Sequence, residues 1–247
     1  MAPSPAAGPA ACDRVAPVPP TWLEVVALLS LAVALICAAT ILWDVFIAGY
    51  RQPMGVMEAV WPVTALYMGP LGLWAYGRWG RPKSPLYIER HEEPASRSFA
   101  TKVAVGASHC GAGCTLGDII ATWIVFATGL TIAGLALPVE YSFDYSFAFA
   151  LGIAFQFWSI RPMAPELSRA AVLGRAFKAD TLSLTAFEVG LFGWMAVTQL
   201  ILFSSPHLLP TTATYWLMMQ VGMVLGFLTT YPVNVWLIRR GIKEAMS

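Results

Sequence analysis

The sequence predicts an all-α membrane protein, a polytopic bundle of six transmembrane helices. Hydrophobic residues make up 57% of the 247 positions and charged residues only 12%, about half of the share that soluble domains carry. The charges are crowded into short intervals and leave stretches of about 20 apolar residues, the length that crosses a bilayer as a helix. Because these stretches lack the alternation of barrel strands, helices are expected to satisfy their backbone hydrogen bonds.

The six predicted spans are joined by connections of unequal length, of which 78–116 is the longest. They cover residues 22–47, 58–77, 117–137, 145–161, 182–203 and 213–238. Trp and Tyr residues lie near many of their ends, where amphipathic rings rest at the level of lipid headgroups. The first twenty residues contain six prolines and little charge, which predicts a disordered cytoplasmic tail at 1–20. One transmembrane domain is expected to follow at 21–247.

The distribution of basic residues predicts the orientation of the bundle. Lys and Arg are concentrated in both tails and in the connections after the second and fourth spans. These segments hold fourteen of the fifteen basic residues, and only Arg51 is expected on the opposite side. The positive-inside rule assigns the basic side to the cytoplasm. We therefore expect both termini in the cytoplasm, together with a loop at about 78–102.

The segment around the third span is too long for a single crossing. Residues 99–138 are compatible with one helix of about forty residues, roughly 60 Å in length, and a bilayer needs only half of that. Counting back about 20 residues from Leu137, the predicted end of the third span, reaches Asp118. The residues before Asp118 are therefore expected at the cytoplasmic end of the hydrophobic layer. The glycines at 106–117 leave two alternatives for 99–117, an extra helical segment or a broken one.

This segment contains the most concentrated chemical feature of the sequence, the run HCGAGCTLGD at 109–118. On a helix, Cys110, Cys114 and Asp118 lie on successive turns of one face, whereas His109 points about 100° away from Cys110. Two thiolates four residues apart can bind one soft metal ion, with imidazole or carboxylate completing the shell. The pattern predicts a site for Cu(I), or less favourably Zn(II), formed by these four residues. The alternative is that they serve helix packing alone.

Three further residues are secondary candidates for metal binding. Glu188 lies inside the fifth span. Because an ionisable group is costly at membrane depth, such a residue is a candidate for a functional site. The alternative role for Glu188 is a surface one, in which its carboxyl snorkels to the membrane interface. Met219 and Met223 are four residues apart and could present two thioethers to Cu(I). Filling of the helix core is the alternative role for both methionines.

The end of the chain carries a second recognisable pattern, YPVNVWLI at 231–238 followed by GIKEAM at 241–246. Together with the run at 109–118, this pattern resembles an uncharacterised family of bacterial integral membrane proteins, the domain of unknown function 4396. The resemblance covers about residues 95–247. It implies a multi-pass module of the bacterial inner membrane and no particular activity.

Three functions are open at this point. The leading hypothesis is a protein of the lipid bilayer that binds a soft metal ion. An extended version of this hypothesis adds transport of the ion across the membrane. A membrane-embedded thiol enzyme with Cys110 or Cys114 as nucleophile and His109 as base is disfavoured, because adjacent side chains diverge on a helix. The third is a non-catalytic assembly subunit, as a homo-oligomer or with a membrane partner. No haem, nucleotide, flavin or nucleic acid is expected, since the motifs that bind them are missing from the sequence.

Overall fold

The computed structural model describes residues 19–91, 96–132, 137–204 and 207–244, and these form an all-helical bundle. The tail predicted at 1–20 lies outside the described residues up to position 18. The helices of the described part are α1 Thr21–Phe46, α2 Met57–Met68, α3 Pro70–Ala75, α4 Pro85–Arg90, α5 Phe99–Thr128, α6 Leu137–Met163, α7 Arg169–Val197 and α8 Ala213–Arg239. A π-helical turn, Tyr76–Gly80, follows α3, and another, Thr198–Leu202, extends α7.

Within the described residues, four helices are long and apolar enough to cross a membrane, as in a multi-pass membrane protein. They are α1, α5, α8, and α7 together with its π-helical extension. The first and last predicted spans agree with α1 and α8 to within one residue at each end. Helix α6 has 27 residues, but Glu140, Asp144 and Gln156 make it less apolar than these four.

Helix α5 is continuous over 30 residues, so the alternative of a broken segment at 99–117 is wrong. The Ser98 hydroxyl caps its first turn by accepting a hydrogen bond from the Thr101 N–H. The helix ends at Thr128 because Gly129 adopts a left-handed conformation with φ 65°. That end lies about nine residues before the predicted end of the third span. The run at 109–118 therefore occupies the middle of α5 and not its end, which corrects the expected position of the site.

The second predicted span folds into a hairpin and does not cross the bundle. Helix α2 stops at Gly69, whose φ is 54°, and α3 returns beside it. The two helices are so close that a Cβ on Gly72 would lie 2.8 Å from the Ala65 Cα. After the hairpin, the Arg81 Nε lies 2.9 Å from the Asp44 Oδ2, near the last turn of α1. The chain thus returns to the end of the bundle from which α2 started.

Helices α1 and α8 run parallel. The Glu24 carboxylate accepts hydrogen bonds from the N–H groups of Ala213 and Thr214 at the start of α8. One and a half turns further along both helices, the Ser30 hydroxyl donates to the Gln220 side chain at 2.8 Å. The beginnings of α1 and α8 therefore lie at the same end of the bundle.

Helices α5 to α8 alternate in direction. One end of the bundle, which we call the basic end, contains the starts of α5 and α7 and the last turns of α1, α6 and α8. We call the opposite end the far end. Every Lys and Arg in the described ranges lies at or near the basic end. They are Arg51, Arg78, Arg81, Lys83, Arg90, Arg97, Lys102, Arg161, Arg169, Arg175, Lys178, Arg239, Arg240 and Lys243. Helix α1 starts at the far end and α8 finishes at the basic end. The side of the membrane on which each terminus lies stays a prediction.

Glycines bring α5 close to its neighbours. A Cβ on Gly113 would lie 2.8 Å from the Gly152 Cα of α6, and one on Gly117 would overlap the backbone of Ala148. Contacts of this kind between small residues are the usual way in which membrane helices approach closely. As a result, the middle of α5 is enclosed by other helices, and its polar side chains lie inside the bundle.

Candidate functional site

The two sequence patterns, at 109–118 and at the end of the chain, meet in the core of the bundle. The Lys243 Nζ lies 2.6 Å from the Asp180 Oδ1 and 3.0 Å from the Cys110 Sγ. The Cys110 thiol donates a hydrogen bond to the same Oδ1 at 2.9 Å. All three side chains are buried. We call this group the Cys110–Asp180–Lys243 triad.

A turn after α8 brings Lys243 into the bundle. Gly241, with φ 68°, reverses the chain, and the N–H of Ile242 donates to the Leu237 carbonyl at 3.0 Å. Left-handed glycine in this position is a common way to end a helix. Burial opposes the charge on Lys243, but its interactions with Asp180 and Cys110 together outweigh burial and raise the pKa of Lys243 above its ordinary value. The triad is therefore an ion pair with a thiol attached to it.

Further along α5 and α7 lies a second group, which we call the acidic cluster: Asp118, Asp144 and Glu188. Their exposed fractions are 0%, 6% and 2%, and the three carboxyls are close enough for their charges to interact. Five of their six oxygens are buried without a hydrogen-bond partner among the described residues. The Cys114 thiol faces Glu188 and also lies near Asp118.

The acidic cluster needs a cation. Burying carboxylates without a counter-charge costs several kcal/mol for each group. Among the buried residues of the described ranges, Lys243 is the only Lys or Arg, and it is paired with Asp180. The acidic cluster is therefore neutral only when it binds protons or another cation.

The triad and the acidic cluster form one continuous row, which we call the polar column. Cys110, Cys114 and Asp118 lie on successive turns of α5, over about 12 Å. Asp180 and Glu188 are also eight residues apart, on the facing helix α7. The row starts at the basic end with the triad and continues through Cys114 to the acidic cluster.

The polar column extends to the far end through Glu140. A void of about 10 Å³ lies between Glu140 and Asp144, roughly the space that one water molecule needs. Glu140 also lines a larger, mostly apolar cavity of about 430 Å³, together with His207 and residues from the ends of α5, α6 and α7. The buried carboxyls therefore lie close to a cavity at the far end.

The predicted ligands do not converge on a single point. The His109 Nε2 is 2.8 Å from the Ser159 Oγ, and its ring packs edge-on against Phe155 of α6. Cys110 and Cys114 both face α7, but Cys110 contacts Asp180 and Lys243, whereas Cys114 lies beside the acidic cluster. In the described ranges, no three His, Cys, Asp or Glu side chains are arranged to hold one metal ion.

The secondary candidates lie along the same column. Glu188 is buried, so the alternative that it snorkels to the interface is wrong. Met219 lines the small void with Asp144. The Met223 sulfur lies 3.6 Å from the Thr115 hydroxyl, which donates its proton to the Gly111 carbonyl at 2.7 Å. Both methionines are buried core residues on α8, beside the polar column.

Sequence reasoning missed Asp180, Lys243 and Asp144. The fifth span was expected to begin at 182, which left Asp180 in a loop, and Lys243 was noted only as a basic residue of the tail and as part of the pattern at 241–246. One signal was available, because two acidic residues eight apart, Asp180 and Glu188, share one face of a helix. The contact with Lys243 joins residues 63 positions apart and has no local signal.

Together, the fold and the polar column define a polytopic helical membrane protein with titratable groups inside its bundle. The family model described as a domain of unknown function, DUF4396, matches residues 101–243, and the chain belongs to that family. The matched region starts in the first turn of α5 and ends at Lys243, so it contains the triad and the whole acidic cluster. No curated protein and no solved structure matches the chain.

Proposed function

We propose that the protein is a membrane transport protein that binds protons at the acidic cluster and conducts them along the polar column. The observation that carries this proposal is the burial of three neighbouring carboxyls whose oxygens have almost no partners. Chains of ionisable groups at membrane depth are typical of proton relays. The proton is the smallest cation that neutralises such a group, and it needs no preformed coordination shell.

The proposed topology has five crossings, made by α1 and by α5 to α8, with the α2–α3 hairpin entering and leaving at the basic end. All basic residues of the described ranges lie at that end, so the positive-inside rule assigns it to the cytoplasm. The end of the chain is then cytoplasmic, and α1 starts on the outer side. The proposed location is the bacterial inner membrane, as the family resemblance implies.

Proton transfer follows the order of groups along the column. A proton arriving in the far-end cavity passes from Glu140 to Asp144 and then to the other carboxyls of the acidic cluster. Each transfer breaks one O–H bond on the donor and forms one on the next carboxylate, so no group is consumed. The Cys114 and Cys110 thiols connect the acidic cluster to Asp180. A proton on Asp180 weakens its pairing with Lys243. Water at the basic end then takes the proton from Asp180, and the ion pair with Lys243 forms again.

A soft metal ion is the second candidate, as the sequence pattern predicts. The Cys114 thiol faces carboxyls with open lone pairs, and Cys110 lies one turn away. A Cu(I) or Zn(II) ion would displace Lys243 from Cys110 and bind both sulfurs, with Glu188 or Asp118 as a further ligand. His109 would not take part without a change in its contact with Ser159.

Proton flux into liposomes tests the leading proposal. Purified protein is reconstituted with a pH-sensitive dye inside, and a potassium diffusion potential drives protons inward. We expect flux above that of empty liposomes, reduced at least about tenfold in Glu188→Gln by loss of the relay carboxyl. The control Glu166→Gln removes an exposed carboxyl and should leave the flux unchanged. Equal flux in wild-type and empty liposomes would contradict the proposal.

Cu(I) competition tests the second candidate. A chromogenic chelator reports how much Cu(I) the purified protein removes from it. Stoichiometric binding that disappears in Cys110→Ser/Cys114→Ser, but persists in Cys37→Ser, would support a metal site. Binding that is the same in all three proteins would eliminate it.

A further inference from the structure

The small void between Glu140 and Asp144, which we call the neck, is enclosed by side chains of α6, α7 and α8. Its volume is about 10 Å³. In the proposed pathway, a proton crosses the neck on its way from the far-end cavity to the acidic cluster. The residues that line it are Leu137, Glu140, Tyr141, Asp144, Leu191, Phe192, Met195, Tyr215 and Met219.

Two carboxyls from successive turns of α6, those of Glu140 and Asp144, line the neck. The Asp144 Oδ1 is buried without a hydrogen-bond partner among the described residues. Atoms of this kind are commonly bonded to an ordered water molecule. Tyr141, also on α6, donates its hydroxyl proton to the Phe192 carbonyl at 2.9 Å. Asp144 therefore needs a donor that α6 does not supply.

Tyr215, in the first turn of α8, places a phenol hydroxyl beside these carboxyls. The residue is 2% exposed, and its hydroxyl is close enough to Glu140, Asp144 and Asp118 for their charges to interact. The Thr122 Oγ1 of α5 lies 3.4 Å from this hydroxyl, which is long for a bond between two hydroxyls. The Tyr215 O–H group is thus available to a closer acceptor in the neck.

The size and walls of the neck suit one water molecule and no metal cation. A buried water needs about 10–15 Å³ and two to four polar partners, and the neck offers this space together with Glu140, Asp144 and Tyr215. A metal cation needs oxygens that replace its hydration shell. Apart from these three residues and Tyr141, the side chains that line the neck are apolar: Leu137, Leu191, Phe192, Met195 and Met219.

We infer that the neck binds one water molecule, held by Glu140, Asp144 and Tyr215, and that this water makes the pathway selective for protons over metal cations. The selectivity rests on the proposed proton transport, whereas the water site does not. In each transfer the water gains one O–H bond from Glu140 and gives up another proton to Asp144, so it is regenerated. Tyr215 is a positioning residue, since it orients the water and carries no proton itself.

Infrared spectroscopy of the purified full-length protein tests the water site without any proton flux. In water enriched in the heavy oxygen isotope, we expect an isotope-shifted O–H band of a buried water in wild-type protein. Tyr215→Phe keeps the ring but removes the hydroxyl, and this band should be lost. The matched control Tyr231→Phe removes a phenol hydroxyl that donates to the Ala100 carbonyl at the basic end and should retain the band.

Sodium uptake by liposomes tests the selectivity. Wild-type protein should conduct protons but take up no more sodium than empty liposomes. Met219→Ala enlarges the neck and should raise sodium uptake at least about tenfold, the effect of lowering a barrier by about 1.4 kcal/mol. The matched control Met218→Ala truncates a partly buried methionine of the same helix, outside the lining of the neck, and should stay impermeable to sodium.

Three outcomes would overturn the inference. The first is a buried-water band that persists in Tyr215→Phe or is missing from wild-type protein. The second is sodium uptake by wild-type protein that matches its proton uptake. The third is a Met219→Ala variant with a wild-type size-exclusion profile that takes up no more sodium than Met218→Ala. Absence of proton flux in wild-type protein would contradict the proposed function, while the infrared result would still decide the water site.

Discussion

The Lys243 Nζ lies 3.0 Å from the Cys110 Sγ, although the two residues are 133 positions apart in the sequence. This contact joins the end of the chain to the middle of α5 and closes the polar column at the basic end. Asp180 shares one oxygen with both groups. The triad therefore depends on three separate segments of the family region, and its disruption has consequences that can be measured separately.

Loss of the ammonium group should destabilise the protein strongly. Lys243→Met leaves the Asp180 carboxylate buried without its counter-ion, and breaking a buried ion pair costs about 3–5 kcal/mol. The double variant Lys243→Met/Asp180→Asn removes both charges and should recover most of that loss. Thermal unfolding in detergent measures both effects. A double variant no more stable than the single one would show that the charge pair is not what stabilises this contact.

Removal of Lys243 should also expose the Cys110 thiol. In a chain whose other cysteines have been replaced by serine, a small maleimide should react slowly with Cys110, because the thiol is buried and bonded to Asp180. Lys243→Ala should accelerate the reaction at least about tenfold, because losing about 1.4 kcal/mol of local stability makes the open, accessible state about ten times more populated. Arg240→Ala, an exposed neighbour, should not accelerate it. Fast labelling of the chain that retains Lys243 would argue against closure of the column by the triad.

Close packing of α5 on α6 should not tolerate a side chain at Gly117. The Cβ of Gly117→Ala would overlap the Ala148 backbone, and such overpacking typically costs about 1–3 kcal/mol. Gly174→Ala is the matched control, since nothing lies within 4 Å of its added Cβ on an exposed helix face. That substitution should be neutral or stabilise α7 by up to about 1 kcal/mol. Denaturant unfolding in micelles compares the two, and equal effects would be inconsistent with this helix contact.

Topology can be tested with single cysteines and a membrane-impermeant maleimide. Glu89→Cys, after the hairpin, and Glu244→Cys, near the end of the chain, should both be labelled from the cytoplasmic side. Pro20→Cys, before α1, should be labelled only from the outside. Labelling of inverted and right-side-out vesicles distinguishes the two faces. If Pro20→Cys and Glu244→Cys react from the same side, the parallel arrangement of α1 and α8 would not describe the protein in its membrane.

The sequence was sufficient for the class of protein and for the helices that hydropathy alone defines. It predicted α1 and α8 closely, and it identified the run at 109–118 as the centre of interest. It missed the α2–α3 hairpin because the apolar run around it has the length of a complete span. Only the turn at Gly69 reverses the chain, and hydropathy does not detect a turn inside an apolar segment.

Candidate ligands were harder to predict than helices, because a site depends on contacts between distant segments. His109 was a reasonable partner for the thiols by proximity in sequence, yet its ring faces Ser159 on α6, 50 positions away. Asp144 precedes the predicted fourth span at 145–161, and Lys243 follows the predicted sixth span, so neither was expected inside the bundle. Their position in the polar column follows from the close packing of α5 on α6 and from the turn after α8.

Infrared spectroscopy of the purified protein tests the central claim most directly, because protonated carboxyls and carboxylates absorb separately. At neutral pH we expect a band from buried protonated carboxyls that decreases in Asp118→Asn and in Glu188→Gln and is unchanged in Glu166→Gln. The band arises because the buried acidic cluster must be neutralised, and the proposed cation is the proton. A wild-type spectrum without any protonated carboxyl at neutral pH would contradict this account.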